Sequence, residues 1–334
     1  MNLDDKISKA KIRLLYLEKM FREQTDEQNA LSTTDLMENL NRYGLSCDRK
    51  SLYSDIASLV EFGYDIIKVT KPKKGYALVS RDFELPEVRL LMDAVQSAGF
   101  ITQKKTQQLI SKLRCLTSQY QADSIDAKLY IDNRVKCKNE EIYYIIDYLN
   151  QAITQKLQAT FKYARRKIDN INGPYIEEKE FVVSPYAMIW VNDHYYLVCN
   201  NQKYDNLMNL RVDRIHGLAV TQTPSRHFSE VSPYTDFFDA ADYVSKHFNM
   251  FSGDMQEVEL ICDFSILEEI IDRFGDKVNL RIFDSTHFLA QVEAAVSDGL
   301  ISWIMQYGNL LKIKSPELLK TMYIEKIKII MEMY

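Results

Sequence analysis

Asp48-Arg49-Lys50-Ser51-Leu52-Tyr53-Ser54-Asp55-Ile56-Ala57-Ser58-Leu59-Val60-Glu61-Phe62-Gly63 reads as a capped amphipathic helix. Leu52, Ile56, Leu59 and Val60 fall at i, i+4, i+7 and i+8, a stripe that a three-helix core buries. Asp48 suits the N-cap because its carboxylate accepts from the orphan N–H groups of the first turn, and Gly63 takes the left-handed conformation that ends a helix. The opposite face opens with Arg49, Lys50, Ser51, Tyr53 and Ser54, groups that meet phosphates and base edges in a major groove. Taken alone, the same pattern also describes an ordinary solvated helix face.

The flanking sequence favours the groove. Ile7, Ala10, Leu14, Leu15, Leu17 and Phe21 recur at helical spacing, and Ser32-Thr33-Thr34-Asp35 resembles a capping box that opens a short helix through Leu36, Met37 and Leu40. Downstream, Tyr64–Val69 and Gly75–Val79 flank Thr70-Lys71-Pro72-Lys73-Lys74, a β-hairpin with a cationic tip. Three helices followed by such a hairpin make a winged helix-turn-helix over residues 1–82. The expected contacts to double-stranded DNA are Thr33, Arg49, Lys50, Ser51, Tyr53, Ser54, Lys71, Lys73 and Lys74.

With 334 residues, 46% of them apolar, the chain is long enough for two or three domains with full cores. A net charge of −5 disfavours non-specific coating of nucleic acid and suits one local DNA-binding surface. Residues 1–80 hold 13 Lys and Arg against 12 Asp and Glu, so affinity rests on where the charges sit, which favours a homodimer. Cys47, Cys115, Cys137, Cys199 and Cys262 lack paired spacing, so no disulfide framework, metal site or cofactor is expected. Without a signal-peptide core or a bilayer-spanning apolar run, a cytoplasmic protein with no membrane partner is expected.

Residues 83–156 read as a helical connector that pairs protomers. Val88, Leu91, Met92 and Val95 mark one helix, Leu109, Ile110, Leu113 and Leu116 a second, and Ile142, Ile145, Ile146, Leu149 and Ile153 a third, with a polar, loop-like stretch from Tyr120 to Asn139. From about residue 157 the period turns to alternation. Short strands are expected at 157–163, 180–183, 186–191, 194–199 and 208–212, with Arg165-Arg166-Lys167 and Gly173-Pro174 in a turn region and Asn192-Asp193 as a tight hairpin. Five such strands imply a barrel or a strongly bent sheet.

Ser184-Pro185-Tyr186, His194-Tyr195-Tyr196-Leu197-Val198 and Leu210-Arg211-Val212-Asp213-Arg214-Ile215 resemble the signature of the WYL domain, with Tyr195 where the family has tryptophan. The order of elements is similar to bacterial transcription regulators of the WYL family. That resemblance implies an Sm-like β-barrel over 157–228, and it assigns regulatory-ligand contacts to Tyr196, Arg211 and Arg214. Alternation separately places Asn209, Arg211 and Asp213 on one strand face, and Tyr196 shares a face with His194, a set that suits a phosphate and a base. The expected effector contacts are therefore Tyr186, His194, Tyr196, Asn209, Arg211 and Arg214, for a nucleotide or single-stranded nucleic acid. Asp213 and Arg214 could instead be an ion pair that shapes a turn.

Residues 229–334 comprise a linker and then a β-α-β-β-α-β order, the ferredoxin-like pattern, which resembles the C-terminal extension that follows WYL domains. No phosphate-cradling glycine loop, G-x-S-x-G or H-E-x-x-H occurs, so no enzyme and no catalytic residue is expected. The fold class is thus α+β and multidomain. The expected function is a ligand-responsive, sequence-specific DNA-binding regulator, a repressor in the commonest case, which binds an inverted repeat as a homodimer. Some relatives are linked to phage defence. The alternative is an accessory protein that binds single-stranded nucleic acid through the WYL domain and modulates a phage-defence or RNA-guided effector.

Overall fold

The computed structural model describes residues 3–126, 136–276 and 278–334, so the Ile7 side chain and the 127–135 part of the polar stretch lie outside the described residues. The chain is mixed α+β in two compact units, one ending at Lys138 and the other running from Asn139 to Tyr334. This boundary divides the stretch read as a single connector.

The first unit begins with α1 (Leu3–Gln24), α2 (Thr33–Arg42) and α3 (Arg49–Phe62), followed by an antiparallel hairpin of β1 (Ile66–Val69) and β2 (Gly75–Leu78). Ser32 and Asp35 cap α2 reciprocally through hydrogen bonds of 2.9 and 3.1 Å. Leu17, Phe21, Leu36, Leu40, Leu52, Ile56 and Leu59 form one buried core with Ile66 and Leu78 of the hairpin. Val60, expected in that stripe, is 46% exposed. The turn of α3 gives the inward place to Asp55 instead, and Arg13 of α1 pairs with that carboxylate at 2.5 Å.

The hairpin is fastened to the helices by Leu31, whose N–H and C=O bond with Tyr76 at 3.0 and 2.8 Å. Beside this bridge a Cβ on Gly75 would lie 2.4 Å from the Leu31 carbonyl oxygen, a backbone contact that no rotamer relieves. Gly75→Ala is therefore expected to destabilise the first unit by about 2 kcal/mol, within the usual cost of overpacking. A thermal melt that overlays the parent's would show that the bridge relaxes freely.

Three further helices complete this unit: α4 (Leu85–Ser97), α5 (Gln103–Arg114) and α6 (Gln119–Asp126). Val88, Met92 and Ile125 are their buried centre, packed by Leu85, Ile110, Leu113 and Leu116, while Leu91 is exposed. The stretch from Tyr120, read as loop, begins as helix because Ser118 supplies a cap, its hydroxyl oxygen accepting from the Gln121 N–H at 3.1 Å.

The second unit starts with α7 (Ile142–Gln155), whose Ile142, Ile145, Leu149 and Ala152 are buried against a sheet of β3 (Leu157–Asp169), β4 (Gly173–Val191), β5 (His194–Asn200), β6 (Met208–Arg211) and β7 (Ile215–Pro224). The strand order is β6-β5-β4-β3-β7, antiparallel throughout. Among the described residues nothing pairs β6 with β7, so the sheet is open and bent rather than a closed barrel. The cause is local: β6 is four residues long, and a 3₁₀ turn at Val212–Arg214 redirects the chain before a closing ladder forms. Asn192 and Asp193 both have positive φ, 48° and 59°, which makes the tight β4–β5 turn.

Arg165, Arg166 and Lys167 lie on β3, not in a turn. They pair in register with Glu177, Ile176 and Tyr175 of β4, in a two-stranded ribbon that extends beyond β7 and β5. After α8 (Ala240–Lys246) come β8 (Asp254–Asp263), α9 (Leu267–Phe274), β9 (Asn279–Ile282), β10 (His287–Val296), α10 (Asp298–Met305), β11 (Leu311–Ser315) and α11 (Glu317–Met331). Their sheet has the order β11-β8-β10-β9, and its core joins Val258, Leu260 and Phe288 to Ile270, Leu300 and Leu319 of the helices. Among the described residues no helix is long and apolar enough to cross a membrane.

Candidate functional site

In the first unit the exposed surface of α3 carries Arg49, Lys50, Tyr53 and Ser54 within its first two turns, with Tyr53 46% exposed. Asp48 holds that end of the helix, accepting from the Ser51 N–H at 2.8 Å and from its hydroxyl at 3.3 Å. The bond from the Ser51 backbone lowers the Asp48 pKa below the usual carboxylate range. The Ser51 hydroxyl is thus committed to the cap. Thr33, half-buried, is the first residue of α2.

The hairpin is tied to both flanking helices. The Tyr53 ring lies 6.3 Å from that of Tyr76, and Lys73 Nζ pairs with Asp35 at 2.6 Å. That ammonium group, with the N–H of Ser32, depresses the Asp35 pKa. Lys73 therefore fixes the hairpin against the cap of α2, whereas Lys71 and Lys74 are exposed and form no ion pair among the described residues. The Arg13–Asp55 pair is not among the groups expected from sequence, although an acid between Leu52, Ile56 and Leu59 is its visible signal.

In the second unit, Tyr196 of β5 and Arg211 of β6 are register neighbours, so both side chains stand on one face of the sheet. The Arg211 backbone N–H donates to the hydroxyl oxygen of buried Tyr163 at 3.1 Å. Its guanidinium grips Asp213 through two bonds, Nε at 3.0 Å and the second nitrogen at 2.8 Å. This pairing raises the Arg211 pKa. Asp213 thus pairs with Arg211 rather than Arg214, because the 3₁₀ turn folds its carboxylate back toward β6.

His194 lies 6.4 Å from the Tyr196 ring. Burial, and then the charge of Arg211, push the His194 pKa down, so its ring is neutral at neutral pH, and its Nδ1 is buried without a hydrogen-bond partner among the described residues. Burial also raises the Tyr196 pKa, against the pull of Arg211 and Arg214. Arg214 is exposed on the 3₁₀ turn, close enough for its charge to act on both rings. His194 and Tyr196 thus stand beside the Arg211–Asp213 pair and the exposed Arg214, rings and a cation that suit an anion joined to a flat group, with Arg211 already held by Asp213.

The other two expected contacts have different partners. The amide of Asn209 donates to the Met250 carbonyl at 3.0 Å and accepts from the Tyr243 hydroxyl at 3.1 Å. Tyr186 packs among rings, 6.1 Å from Phe228 and 6.3 Å from Phe238, and burial pushes its pKa up to about 12. Neither contact is foreshadowed by local sequence, since Met250, Tyr243 and Phe238 arrive from the segment after the sheet.

The family description "WYL domain" matches residues 144–220, from α7 into β7, so the chain carries a WYL domain there. Among solved structures it is similar to the proteasome accessory factor B/C (PafBC) of Arthrobacter aurescens, at 17% identity and a TM-score of 0.28; the match covers 96% of this chain but only 46% of that protein's length. Among curated proteins none matches the chain.

Proposed function

We propose, starting from the WYL domain at 144–220, that the chain is a cytoplasmic transcription regulator, a repressor that binds an inverted repeat as a homodimer. In this reading residues 1–82 are a winged helix-turn-helix, 83–156 a connecting region whose last helix, α7, already belongs to the WYL domain, 157–228 the Sm-like sheet of that domain without full closure, and 229–334 a ferredoxin-like extension. The observation that carries the reading is the surface of α3 and its hairpin. Arg49, Lys50, Tyr53 and Ser54 are exposed together on a helix whose other face is core, beside the exposed Lys71 and Lys74.

The His194, Tyr196, Arg211 and Arg214 cluster is the proposed effector site, for a nucleotide or a short single strand. An effector that favours one DNA-binding arrangement by about 1–3 kcal/mol changes operator affinity about five- to 150-fold. No catalytic step is assigned.

The test is binding to the chain's own upstream DNA against a scrambled duplex, at two salt concentrations, with and without short single-stranded DNA. Sequence-dependent duplex binding at the higher salt is expected. Arg211→Ala should leave that binding unchanged and remove the response to single strands. Loss of most binding in Arg211→Ala, with the α3 surface dispensable, would instead favour an accessory protein that works on single strands.

A further inference from the structure

A cleft of about 320 Å³ lies in the first unit where α3 ends, lined in part by the loop that leads from the hairpin to α4. Its floor is Leu78 and Leu116. Its rim carries aromatic rings with little cover: Phe62 is 81% exposed, its ring 5.9 Å from that of Tyr64, and Phe83 is 40% exposed. Phe62 stacks on the half-buried Tyr64, so the concavity has an apolar aromatic wall of the kind ligand pockets use.

The charges of the cleft are as specific as its rings. Arg81 is half-buried and donates to the Thr25 carbonyl at 2.6 Å, yet it forms no ion pair among the described residues. Arg22 also lines the cleft but is occupied by Glu18 at 3.3 Å, and Glu18 accepts from the Tyr64 hydroxyl as well. Burial lowers the Arg81 pKa, the charge of Arg22 adding to this and those of Asp26 and Glu27 opposing it, and neither carboxylate is in ion-pair contact with the guanidinium. Asp65 and Asp82 line the same cleft, and neither carboxylate makes an ion pair or side-chain hydrogen bond among the described residues.

An anion alone would meet the two carboxylates, and a cation alone would meet the two guanidinium groups. A ligand that carries both charges on a short frame, with a flat apolar end, answers every group present. We infer that the cleft binds a free aromatic amino acid, its carboxylate on Arg81, its ammonium on Asp65 and Asp82, and its ring against Phe62 and Phe83. The volume stands at the small end of ligand sites, enough for one amino acid and too little for a dinucleotide. The site is separate from the effector face of the WYL domain and does not depend on it.

Calorimetric titration of the full chain with L-tryptophan tests this. Saturable binding is expected, weakened about tenfold or more for tryptamine, which lacks the carboxylate, and for indole-3-propionate, which lacks the ammonium group. Arg81→Met and Phe62→Ala should each weaken tryptophan about tenfold, whereas Arg211→Ala should leave it unchanged. Asp82→Asn, at an exposed position that does not threaten folding, should weaken tryptophan but not indole-3-propionate. No binding of tryptophan or phenylalanine at millimolar concentration would overturn the inference, as would equal binding of the three indoles or loss of binding in Arg211→Ala alone.

Discussion

Binding to the upstream duplex is expected to fall about a hundredfold or more in the Arg49→Ala/Lys50→Ala double variant, with the melting temperature unchanged. Both residues sit in the first turn of α3 and are exposed, while the core of this helix rests on Leu52, Ile56 and Leu59. Removing them takes away contacts without opening a cavity. Each good contact of an arginine or lysine to a base edge is worth about 1–3 kcal/mol, and two together give the expected loss. The salt slope should also flatten, by about one for each phosphate contact removed.

The hairpin supplies an internal control. Lys73→Ala should cost less affinity than Lys71→Ala with Lys74→Ala, because Lys73 is engaged with Asp35 at 2.6 Å. Anisotropy titrations at two salt concentrations read both effects. A double variant that retains parental affinity and slope would remove α3 from the DNA surface.

The elements of the first unit are legible because each boundary has a local chemical cause. Asp48 and Gly63 mark the ends of α3, and the Ser32–Asp35 box marks the start of α2. Val60 departs from the stripe because helical periodicity defines a face only to within a residue, and the place it was expected to fill goes to Asp55, which the sequence does not reveal as paired until Arg13 is brought across from α1.

The β3–β4 ribbon was hidden for a related reason. Beyond β5 and β7 it has no buried side, so it shows no alternation, and its charges resemble a loop. In the proposed effector face the motif residues Tyr196 and Arg211 are neighbours as expected, since strand register is short-range information. Tyr186 enters with the motif and Asn209 from strand alternation, and neither signal carries their partners Phe238, Tyr243 and Met250, which come from a segment about thirty residues and more away.

Arg13→Met is expected to destabilise the first unit by about 3 kcal/mol, the lower end of the cost of leaving a buried charge without its partner. The two side chains are only 14% and 11% exposed, and the Asp55 carboxylate stands on the core side of α3, where little water can reach it in place of the guanidinium. Asp55→Leu in the same background should restore most of the loss, since two apolar side chains of similar size fit the space that the pair fills. A double-variant cycle by urea denaturation measures this directly: strong coupling between the two positions is expected, and additive effects would mean that the pair is solvated and contributes little. The double variant also bears on function, because it separates the stability of α3 from the chemistry of its exposed face. If Arg13→Met/Asp55→Leu folds and binds the duplex like the parent, the pair serves to seat the helix, and Arg49 and Lys50 act from a platform that an apolar contact supports equally well.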